Sequence, residues 1–515
     1  MNESIATSPA GESRNLAPVD SNERIGVLDA LRGFALIGIL LMNVEWFGRA
    51  LATLGTFDTT LTGLDHAAGW LVRCFIEGKF YKLFALLFGM GFAVMLLRAR
   101  ETGRPFGAWF TRRMLVLLAI GLLHMVFLWG GDILHDYAFA GLVMLGYVLL
   151  LQKPKFQRFD NPRSMLKLGL GWLSVPFVAS ALAALVYGVV SSNADLNESW
   201  LDEQDFIAQV EERLLLPPAE EADDEVAELS LAEPTVADEE PRDVLALEPS
   251  TGAAIAEQQD ANDSAAPDDE LSDEEARDEA ISAEVDRRRE SDDKNARELE
   301  VFANGDYWAV TAYRFEDTLE RIRFTPFFAL TILFPVFLLG YWLIASGAMK
   351  KPAEHRWLFK PMAWIGIVFG LFFTVAGLSV IQHPATDSSG LLMGTGQTLF
   401  FLGQYVLSAG YLAVVVLWFC TDRGARWLGA LAPMGRMALT NYIMQSLILT
   451  SLFYGYGAGY FGEVSRAPQM LLAAAIIAFQ LFASHWWLRR FRFGPLEWLW
   501  RSLTYLSLQP LRRMP

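Results

Sequence analysis

The stretch HMVFLWGGDILHDYA, residues 124–138, places two histidines and two carboxylates between two apolar runs. Histidine changes charge near neutral pH and is therefore suited to accept or release a proton during a reaction. A carboxylate bound to one ring nitrogen would fix the tautomer. We therefore predict that His124 is a general base oriented by Asp132, with His135 closer to solvent. The alternative is that His124 only donates a hydrogen bond to a backbone carbonyl of a neighbouring helix.

A second set of polar residues lies near the opposite ends of the apolar segments. Asp29 and Arg32 of LDALRGF are three residues apart, so they share one face of a helix. Arg436 and Asn441 lie at the start of a later segment. Arginine binds phosphate through several N–H donors, so this set is a candidate site for an anionic head group or a cofactor phosphate. An Asp29–Arg32 ion pair that only fixes the start of the helix is the alternative.

The sequence contains two regions of different composition, one apolar and basic and the other acidic. Of the 515 residues, 53% are hydrophobic, yet the formal net charge is −17. Residues 191–300 hold 37 acidic and 8 basic residues, a net charge of −29, which leaves +12 for the remainder. Cys74 and Cys420 lie far apart in the chain, which argues against a disulfide framework or a CxxC metal site. The sequence therefore predicts a basic apolar body interrupted by an acidic insert.

The apolar body predicts an all-α, polytopic membrane bundle, because about 20 apolar residues are needed for each spanning helix. Ten segments satisfy this condition: 26–47, 80–97, 114–130, 134–151, 168–190, 325–346, 361–381, 397–420, 436–455 and 468–488. Residues 66–76 are a candidate interfacial or re-entrant piece. Lys and Arg are concentrated in alternate loops, which by the positive-inside rule predicts that both termini are cytoplasmic.

The same patterns divide the chain into four parts. Residues 1–23 are predicted to be a disordered cytoplasmic tail, and 24–190 an N-terminal half of five membrane helices. Residues 191–300 form the acidic insert outside the membrane; with few apolar residues it is predicted to be largely disordered, although a charged helix near 271–300 is possible. Residues 301–515 are a C-terminal membrane half that ends in the interfacial helix of RFGPLEWLWRSLTY.

Several functional classes lack support in the sequence. The chain has no nucleotide-binding glycine loop, no HExxH metal motif and no GxSxG nucleophile motif. It also has no basic, aromatic-interleaved soluble patch of the kind that binds nucleic acid. We therefore expect no nucleic acid partner and assign no metal ligands.

Five motifs together resemble the YeiB-like family of bacterial inner-membrane proteins, which carry domain of unknown function 418. They are RIGVLDALRGFALIGILLMN (24–43), GKFYKLFALLFGMG (78–91), GLLHMVFLWGGDILHDYA (121–138), GRMALTNYIMQS (435–446) and GPLEWLWRSLTY (494–505). The first helix is also distantly similar to transmembrane acyltransferases that include heparan-glucosaminide acetyltransferase. That similarity implies transfer of an acyl group from a cytoplasmic thioester donor to an acceptor outside.

The resemblance carries over to a defined set of residues and departs at one place. The matching positions are Asp29, Arg32, Gly33, Asn43, Lys79, His124, Asp132, Arg436, Asn441, Glu497 and Arg501. The acidic insert, roughly 200–295, replaces what resembles a much shorter outer loop in the family. The resemblance also implies location in the bacterial inner membrane.

These observations lead to one principal hypothesis and two alternatives. An acyltransferase would use His124 and Asp132 on a small-molecule, lipid or glycan acceptor, with Lys79 stabilising developing negative charge. Arg32 and Arg436, with their neighbours Asp29 and Asn441, would hold the acyl-thioester donor. The first alternative is a transporter of a small anion or metabolite, which would use the two polar sets as gates. The second is a non-catalytic membrane scaffold that presents the acidic loop.

Overall fold

Helices account for nearly all regular structure in the computed structural model. The structure describes residues 25–50, 61–191, 193–216, 268–383 and 390–513. Within these ranges the regular elements are helices, apart from one isolated antiparallel bridge between Phe491 and Arg512. The predicted cytoplasmic tail, 1–23, lies outside the described residues.

Nine helices among the described residues are long and apolar enough to cross a membrane. Their bounds are Gly26–Phe47 (α1), Gly63–Glu101, Gly107–Phe127 (α4), Leu134–Leu151 (α5), Pro162–Tyr187, Thr325–Ala345, Arg356–Ile381, Gly390–Phe419 and Arg466–Arg490. A tenth apolar helix, Ala438–Phe453, is shorter. The prediction of an all-α membrane bundle with about ten spanning segments is confirmed.

The tenth helix begins two residues later than the sequence predicted. Residues Ala432–Arg436 form a separate short helix, and the backbone of Met437 breaks the helical path with φ −110° and ψ 32°. Arg436 therefore ends the short helix rather than opening the span. The 16 residues of Ala438–Phe453 rise only about 24 Å, less than the roughly 30 Å of a bilayer's hydrocarbon core.

The second membrane segment is also interrupted, at the place where the sequence suggested a re-entrant piece. The helix Gly63–Leu71 (α2) continues into a π-helical turn, Val72–Ile76, before the chain bends at Gly78. Gly78 has φ +75°, a conformation that glycine adopts without steric cost. The long helix Lys79–Glu101 (α3) then starts directly after this bend.

Two glycines bring α1 against the short helix Ala432–Arg436. A Cβ atom at Gly33 would lie 2.3 Å from the backbone oxygen of Leu431, and one at Gly435 would lie 2.0 Å from that of Asp29. Only glycine allows backbones to approach this closely. The contact places Asp29 and Arg32 of α1 beside Arg436.

The remaining elements are shorter or lie in the acidic part of the chain. They are the 3₁₀ helix Gln157–Phe159 and the helices Asn193–Leu214, Asp268–Asn304, Tyr307–Ile322, Asp422–Gly429 and Pro495–Tyr505 (α17, the last helix). The described chain divides into two compact units. One contains the described residues up to Asn193 and from Lys294 onward, and the other contains the described residues within Ala194–Asp293.

Two flanks of the acidic insert are helical. Val210, Ile281 and Val285 are buried against one another in the smaller unit, so a few apolar residues repeated at helical spacing suffice to pair these segments. The sequence allowed for a helix near 271–300 but did not predict Asn193–Leu214. Residues 217–267, the centre of the predicted disorder, lie outside the described residues.

Candidate functional site

His124 is held between a carboxylate and a hydroxyl in the interior of the larger unit. Its Nδ1 lies 2.8 Å from Oδ1 of Asp132, and its Nε2 lies 2.7 Å from Oγ of Ser446. All three residues are buried, with exposures of 3% for His124, 6% for Asp132 and 1% for Ser446. The series Asp132–His124–Ser446 has the connectivity that activates a hydroxyl in hydrolases and acyltransferases.

The protonation pattern of this series follows from Asp132. Burial raises the pKa of the Asp132 carboxyl, but hydrogen bonds from His124 and His135 outweigh it and hold the pKa below its ordinary value. An ionised carboxylate only accepts hydrogen bonds, so Nδ1 of His124 carries the proton. In the neutral imidazole Nε2 is then the acceptor, and the Ser446 hydroxyl donates to it.

The turn between α4 and α5 positions Asp132. His124 lies in the last turn of α4, and its carbonyl accepts the backbone N–H groups of Leu128 and Trp129. Oδ2 of Asp132 accepts the backbone N–H of His135, 3.0 Å away, and so caps the start of α5. One carboxylate therefore uses one oxygen to orient His124 and the other to anchor the next helix.

A second histidine shares the same carboxylate. Nδ1 of His135 lies 3.1 Å from Oδ2 of Asp132, while its Nε2 lies 3.0 Å from Oγ1 of Thr325 and 3.3 Å from Oδ1 of Asp136. His135 is only 5% exposed, although the sequence placed it closer to solvent. The polar series therefore extends from Ser446 to Asp136, and Asp132 is its central member.

Gly121 lets α4 approach this turn. A Cβ at Gly121 would lie 2.5 Å from the backbone nitrogen of His135 and 2.8 Å from Oδ2 of Asp132. We predict that Gly121→Ala displaces Asp132 from His124 and destabilises the protein by about 1–3 kcal/mol, the usual cost of overpacking. Thermal unfolding in detergent measures this cost.

A matched substitution separates crowding from the change of residue type. Gly146 lies in α5 with open space around its Cβ direction, so Gly146→Ala is expected to be neutral or slightly stabilising. Equal unfolding temperatures for the two variants would show that the turn accommodates a methyl group and that the close approach at Gly121 is unimportant.

A cavity of about 320 Å³ lies between α1, α3, α4, α5 and the helices near the C-terminus. This volume is in the range of small-molecule sites. Five arginines line it against two carboxylates: Arg32, Arg113, Arg436, Arg492 and Arg501, with Asp29 and Glu497. The rest of the lining is mainly apolar and extends to Ile133 and Tyr442. The end of the cavity that the five arginines line, which we call the mouth, is therefore cationic, and the rest of the cavity is mainly apolar.

The charge balance of the mouth favours an anion. Asp29 is already paired with Arg32 at 2.8 Å. Burial raises the pKa of Glu497, although hydrogen bonds from Thr440 lower it, so its negative charge is disfavoured. The five guanidinium groups are therefore incompletely neutralised by the carboxylates that share the cavity, and a bound phosphate would reduce their mutual repulsion.

The last helix, α17, contributes directly to this mouth. The guanidinium of Arg113 stacks 3.6 Å from the ring centre of Trp500, and Nε1 of Trp500 donates to the Arg113 carbonyl at 2.8 Å. Nε of Arg113 is buried with no hydrogen-bond partner among the described residues. A buried cationic donor without a partner is unusual in a folded protein and is consistent with an anion-binding role.

The arginine-lined cavity ends close to His124. Tyr442 lines the cavity, and its ring centre lies 5.2 Å from that of His124. Ile133, the neighbour of Asp132, also lines the cavity. Along α4, Arg113 and His124 are separated by eleven residues, or about 16 Å of helical rise. The cavity therefore extends from the arginines to Tyr442, the residue that separates it from His124.

The structure brings together most of the predicted site residues but not all of them. His124 and Asp132 are hydrogen-bonded, and Asp29, Arg32 and Arg436 line one cavity. Two other predicted residues lie elsewhere.

Asn441 does not line the cavity; its side-chain amide donates to Met434 O and Ser484 Oγ, which ties neighbouring helices together. The Lys79 ammonium contacts the carbonyl of Arg73 and lies 4.9 Å from the ring centre of Phe400, not in the His124 group. The acyltransferase hypothesis grouped Lys79 with His124 and Asp132, but the sequence contains no pattern that shows which way the lysine side chain points.

Three important residues were not predicted as site residues: Ser446, Arg113 and Tyr442. Ser446 is the last residue of the quoted motif GRMALTNYIMQS, and a hydroxyl in an apolar helix is a weak signal by itself. Arg113 belongs to a loop-proximal basic cluster that the positive-inside rule already explained. Tyr442 is a common residue in membrane helices.

Comparison with known proteins identifies the family. Residues 343–507 match the family described as protein of unknown function (DUF418). The chain is 30% identical to the uncharacterized protein YxaH of Bacillus subtilis, over 97% of this chain and 98% of the relative. It is 25% identical to the uncharacterized protein YeiB of Escherichia coli, over 95% of this chain and 98% of the relative. No solved structure matches the chain. The chain therefore belongs to the YeiB-like DUF418 family.

Proposed function

We propose that the protein is a membrane acyltransferase. It would take an acyl group from an anionic thioester donor, bound at the arginine-lined mouth, and pass it to an acceptor hydroxyl or amine. The observation that carries the proposal is a hydrogen-bonded Asp132–His124–Ser446 series beside the deep end of a cavity with a cationic mouth. Neither a scaffold nor a passive structural core requires this combination.

The shape of the cavity fits a donor with a charged head and a long arm. Phosphate groups would bind among Arg32, Arg113 and Arg436, where guanidinium groups offer several charge-assisted hydrogen bonds. The arm would then follow the apolar lining, which includes Leu36, Phe84 and Leu117. Its reactive carbonyl would reach the Tyr442 end of the cavity, next to His124.

The chemistry at this end would depend on proton transfer. Acyl transfer requires that a hydroxyl or amine lose its proton as it attacks the carbonyl carbon. With Nδ1 donating to Asp132, Nε2 of the neutral imidazole is the nitrogen that would accept that proton, from the Ser446 hydroxyl or from a hydroxyl in its place. The carboxylate of Asp132 would stabilise the imidazolium that forms, as it does in other Asp–His pairs.

The proposal also includes an orientation of the protein in the membrane. Loops rich in lysine and arginine lie at the arginine end, which by the positive-inside rule would face the cytoplasm, where thioester donors are made. Both termini would then be cytoplasmic, and the membrane would be the bacterial inner membrane. The acceptor would be a lipid, a glycan or a small molecule that reaches the His124 end.

The direct test uses the full chain in lipid nanodiscs with radiolabelled acetyl-coenzyme A as the probe. A membrane extract from the source cells supplies the acceptor. We expect release of free coenzyme A thiol together with transfer of label to the extract, and neither event in empty nanodiscs.

A second arm separates acyl transfer from transport. Sealed vesicles with the same protein are incubated with acetyl-coenzyme A labelled in its nucleotide part. Accumulation of intact donor inside the vesicles, with no thiol released in either arm, would replace the acyltransferase by a transporter. Thiol release without accumulation supports the enzyme.

A further inference from the structure

The hydroxyl of Ser446 is bound differently from those of Thr374 and Ser408, two other buried residues of the apolar helices. Inside a helix, a serine or threonine hydroxyl often donates to the carbonyl four residues earlier. Thr374 does so at 2.7 Å to Gly370, and the Ser408 hydroxyl lies 2.7 Å from the carbonyls of both Gln404 and Lys79. The corresponding distance from Ser446 to Tyr442 is 3.5 Å, whereas Nε2 of His124 is 2.7 Å away. The shorter contact of Ser446 is therefore with the imidazole, to which its hydroxyl donates when Nε2 is unprotonated, and its contact with its own helix is longer.

We propose that Ser446 is the nucleophile of the reaction and carries the acyl group as a covalent ester. This inference rests on the proposed function, since it specifies how the same site moves an acyl group. It adds a two-step course, in which the donor leaves before the acceptor reacts. His124 would thus act first on a residue of the protein and only then on the acceptor.

In the first step, Oγ of Ser446 attacks the carbonyl carbon of the thioester. Nε2 of His124 takes the hydroxyl proton, the carbon–sulfur bond breaks, and the proton passes to the leaving thiolate. The products are an acyl ester on Ser446 and a free thiol. Asp132 stays ionised and stabilises the imidazolium during the transfer.

In the second step, the acceptor hydroxyl or amine attacks the ester carbonyl. Nε2 of His124 takes the acceptor proton and returns it to Oγ of Ser446 as the carbon–oxygen bond of the ester breaks. The serine hydroxyl is restored, and atoms and charge balance over the cycle without a further reactant.

Burial explains why a transferase would use this position. Ser446 is 1% exposed and His124 is 3% exposed, so bulk water does not reach the ester readily. Exclusion of water protects reactive intermediates from hydrolysis. Tyr442 lies one helical turn before Ser446, lines the cavity and contacts His124, so rotation of its side chain would admit the acyl carbonyl.

The alternative role for Ser446 is positioning, in which its hydroxyl only orients His124. The two roles predict different chemistry at Oγ, because a positioning hydroxyl is never acylated. They also differ for Ser446→Cys. A nucleophilic position would form a thioester on the new thiol, whereas a positioning role would leave the thiol free.

The experiment incubates the full chain in nanodiscs with radiolabelled acetyl-coenzyme A and no acceptor, followed by an acid quench. We expect about one label per protein on the peptide that contains Ser446, located by mass spectrometry. The label should be absent from Ser446→Ala and sensitive to neutral hydroxylamine in Ser446→Cys. Ser408→Ala is the matched control, because Ser408 is a buried membrane serine whose hydroxyl contacts only backbone carbonyls, and it should label normally.

Two results would overturn the proposal, and they differ from failure of the proposed function. If wild-type protein transfers label to the membrane extract while Ser446 is never labelled and Ser446→Ala retains transfer, the enzyme acts without an acyl-serine. If no transfer is found at all, diisopropyl fluorophosphate tests the serine independently of the donor. Phosphorylation at Ser446, dependent on His124, then supports the nucleophile with a different donor, and no reaction rejects it.

Discussion

Replacement of His124 by alanine is expected to lower the rate of acyl transfer by about 1,000-fold or more. The imidazole is the only group within hydrogen-bond distance of both Asp132 and Ser446 among the described contacts. Without it, neither the serine nor the acceptor can lose a proton to a nearby base. Thiol release from acetyl-coenzyme A under single-turnover conditions measures the chemical step directly.

This effect must be distinguished from a loss of folded protein. Removal of His124 leaves part of the buried Asp132 carboxylate without a donor, which costs stability. His124→Gln retains a polar side chain of similar reach and should fold better, yet it lacks a group that accepts a proton near neutral pH. The expected pattern is therefore loss of transfer in both variants and a lower unfolding temperature mainly in the alanine variant.

His485 provides the matched control. It also lies in an apolar helix, but its Nδ1 is 2.8 Å from the carbonyl of Leu481 in the same helix. His485→Ala should therefore transfer acyl groups at close to the wild-type rate. A His124→Ala variant that keeps more than a tenth of wild-type activity would exclude His124 as the base, whatever the control does.

The sequence was sufficient to predict the helices because the bilayer imposes a simple length rule. A long apolar run has few alternatives to a spanning helix when every backbone polar group must be satisfied internally. The segment Leu134–Leu151 was accordingly predicted to the residue. The exceptions are places where polar residues interrupt the run. The break at Met437 is such a place, because it directly follows Arg436 and lies four residues before Asn441.

The His124–Asp132 pair was also accessible from the sequence, because a tight turn separates the two residues. The two residues are eight positions apart on either side of the end of α4, so the short turn between them keeps their side chains close together. Ser446 is 322 positions from His124, and its approach depends on how whole helices pack. No local pattern contains that information.

Lys79 and Asn441 were assigned to the two polar sets by their positions along apolar segments. Predicting the direction of a side chain around the helix axis requires an amphipathic stripe, and helices that are apolar on all sides lack one. In the structure, both side chains point into other helix contacts.

The double variant Arg32→Gln with Arg436→Gln is expected to weaken donor binding by roughly 10- to 100-fold. Hydrogen bonds to charged groups contribute about 1.5–3 kcal/mol each, and about 1.4 kcal/mol corresponds to a tenfold change in affinity. The expected loss is smaller than the summed contribution of two such bonds, about 3–6 kcal/mol, because Arg113, Arg492 and Arg501 still line the mouth. The measurement is KM for acetyl-coenzyme A, together with equilibrium binding of the labelled donor.

The arginines and His124 should affect different kinetic constants. Phosphate contacts distant from the reacting carbonyl are made equally in the ground state and the transition state, so their loss raises KM and leaves kcat nearly unchanged. Loss of His124 lowers kcat instead.

Arg423→Gln is the matched control, because Arg423 is exposed and does not line the cavity. An equal rise in KM for Arg423→Gln would attribute donor binding to overall surface charge. An unchanged KM in the double variant would place the donor outside this cavity, and the arginine mouth would then require a different anionic ligand.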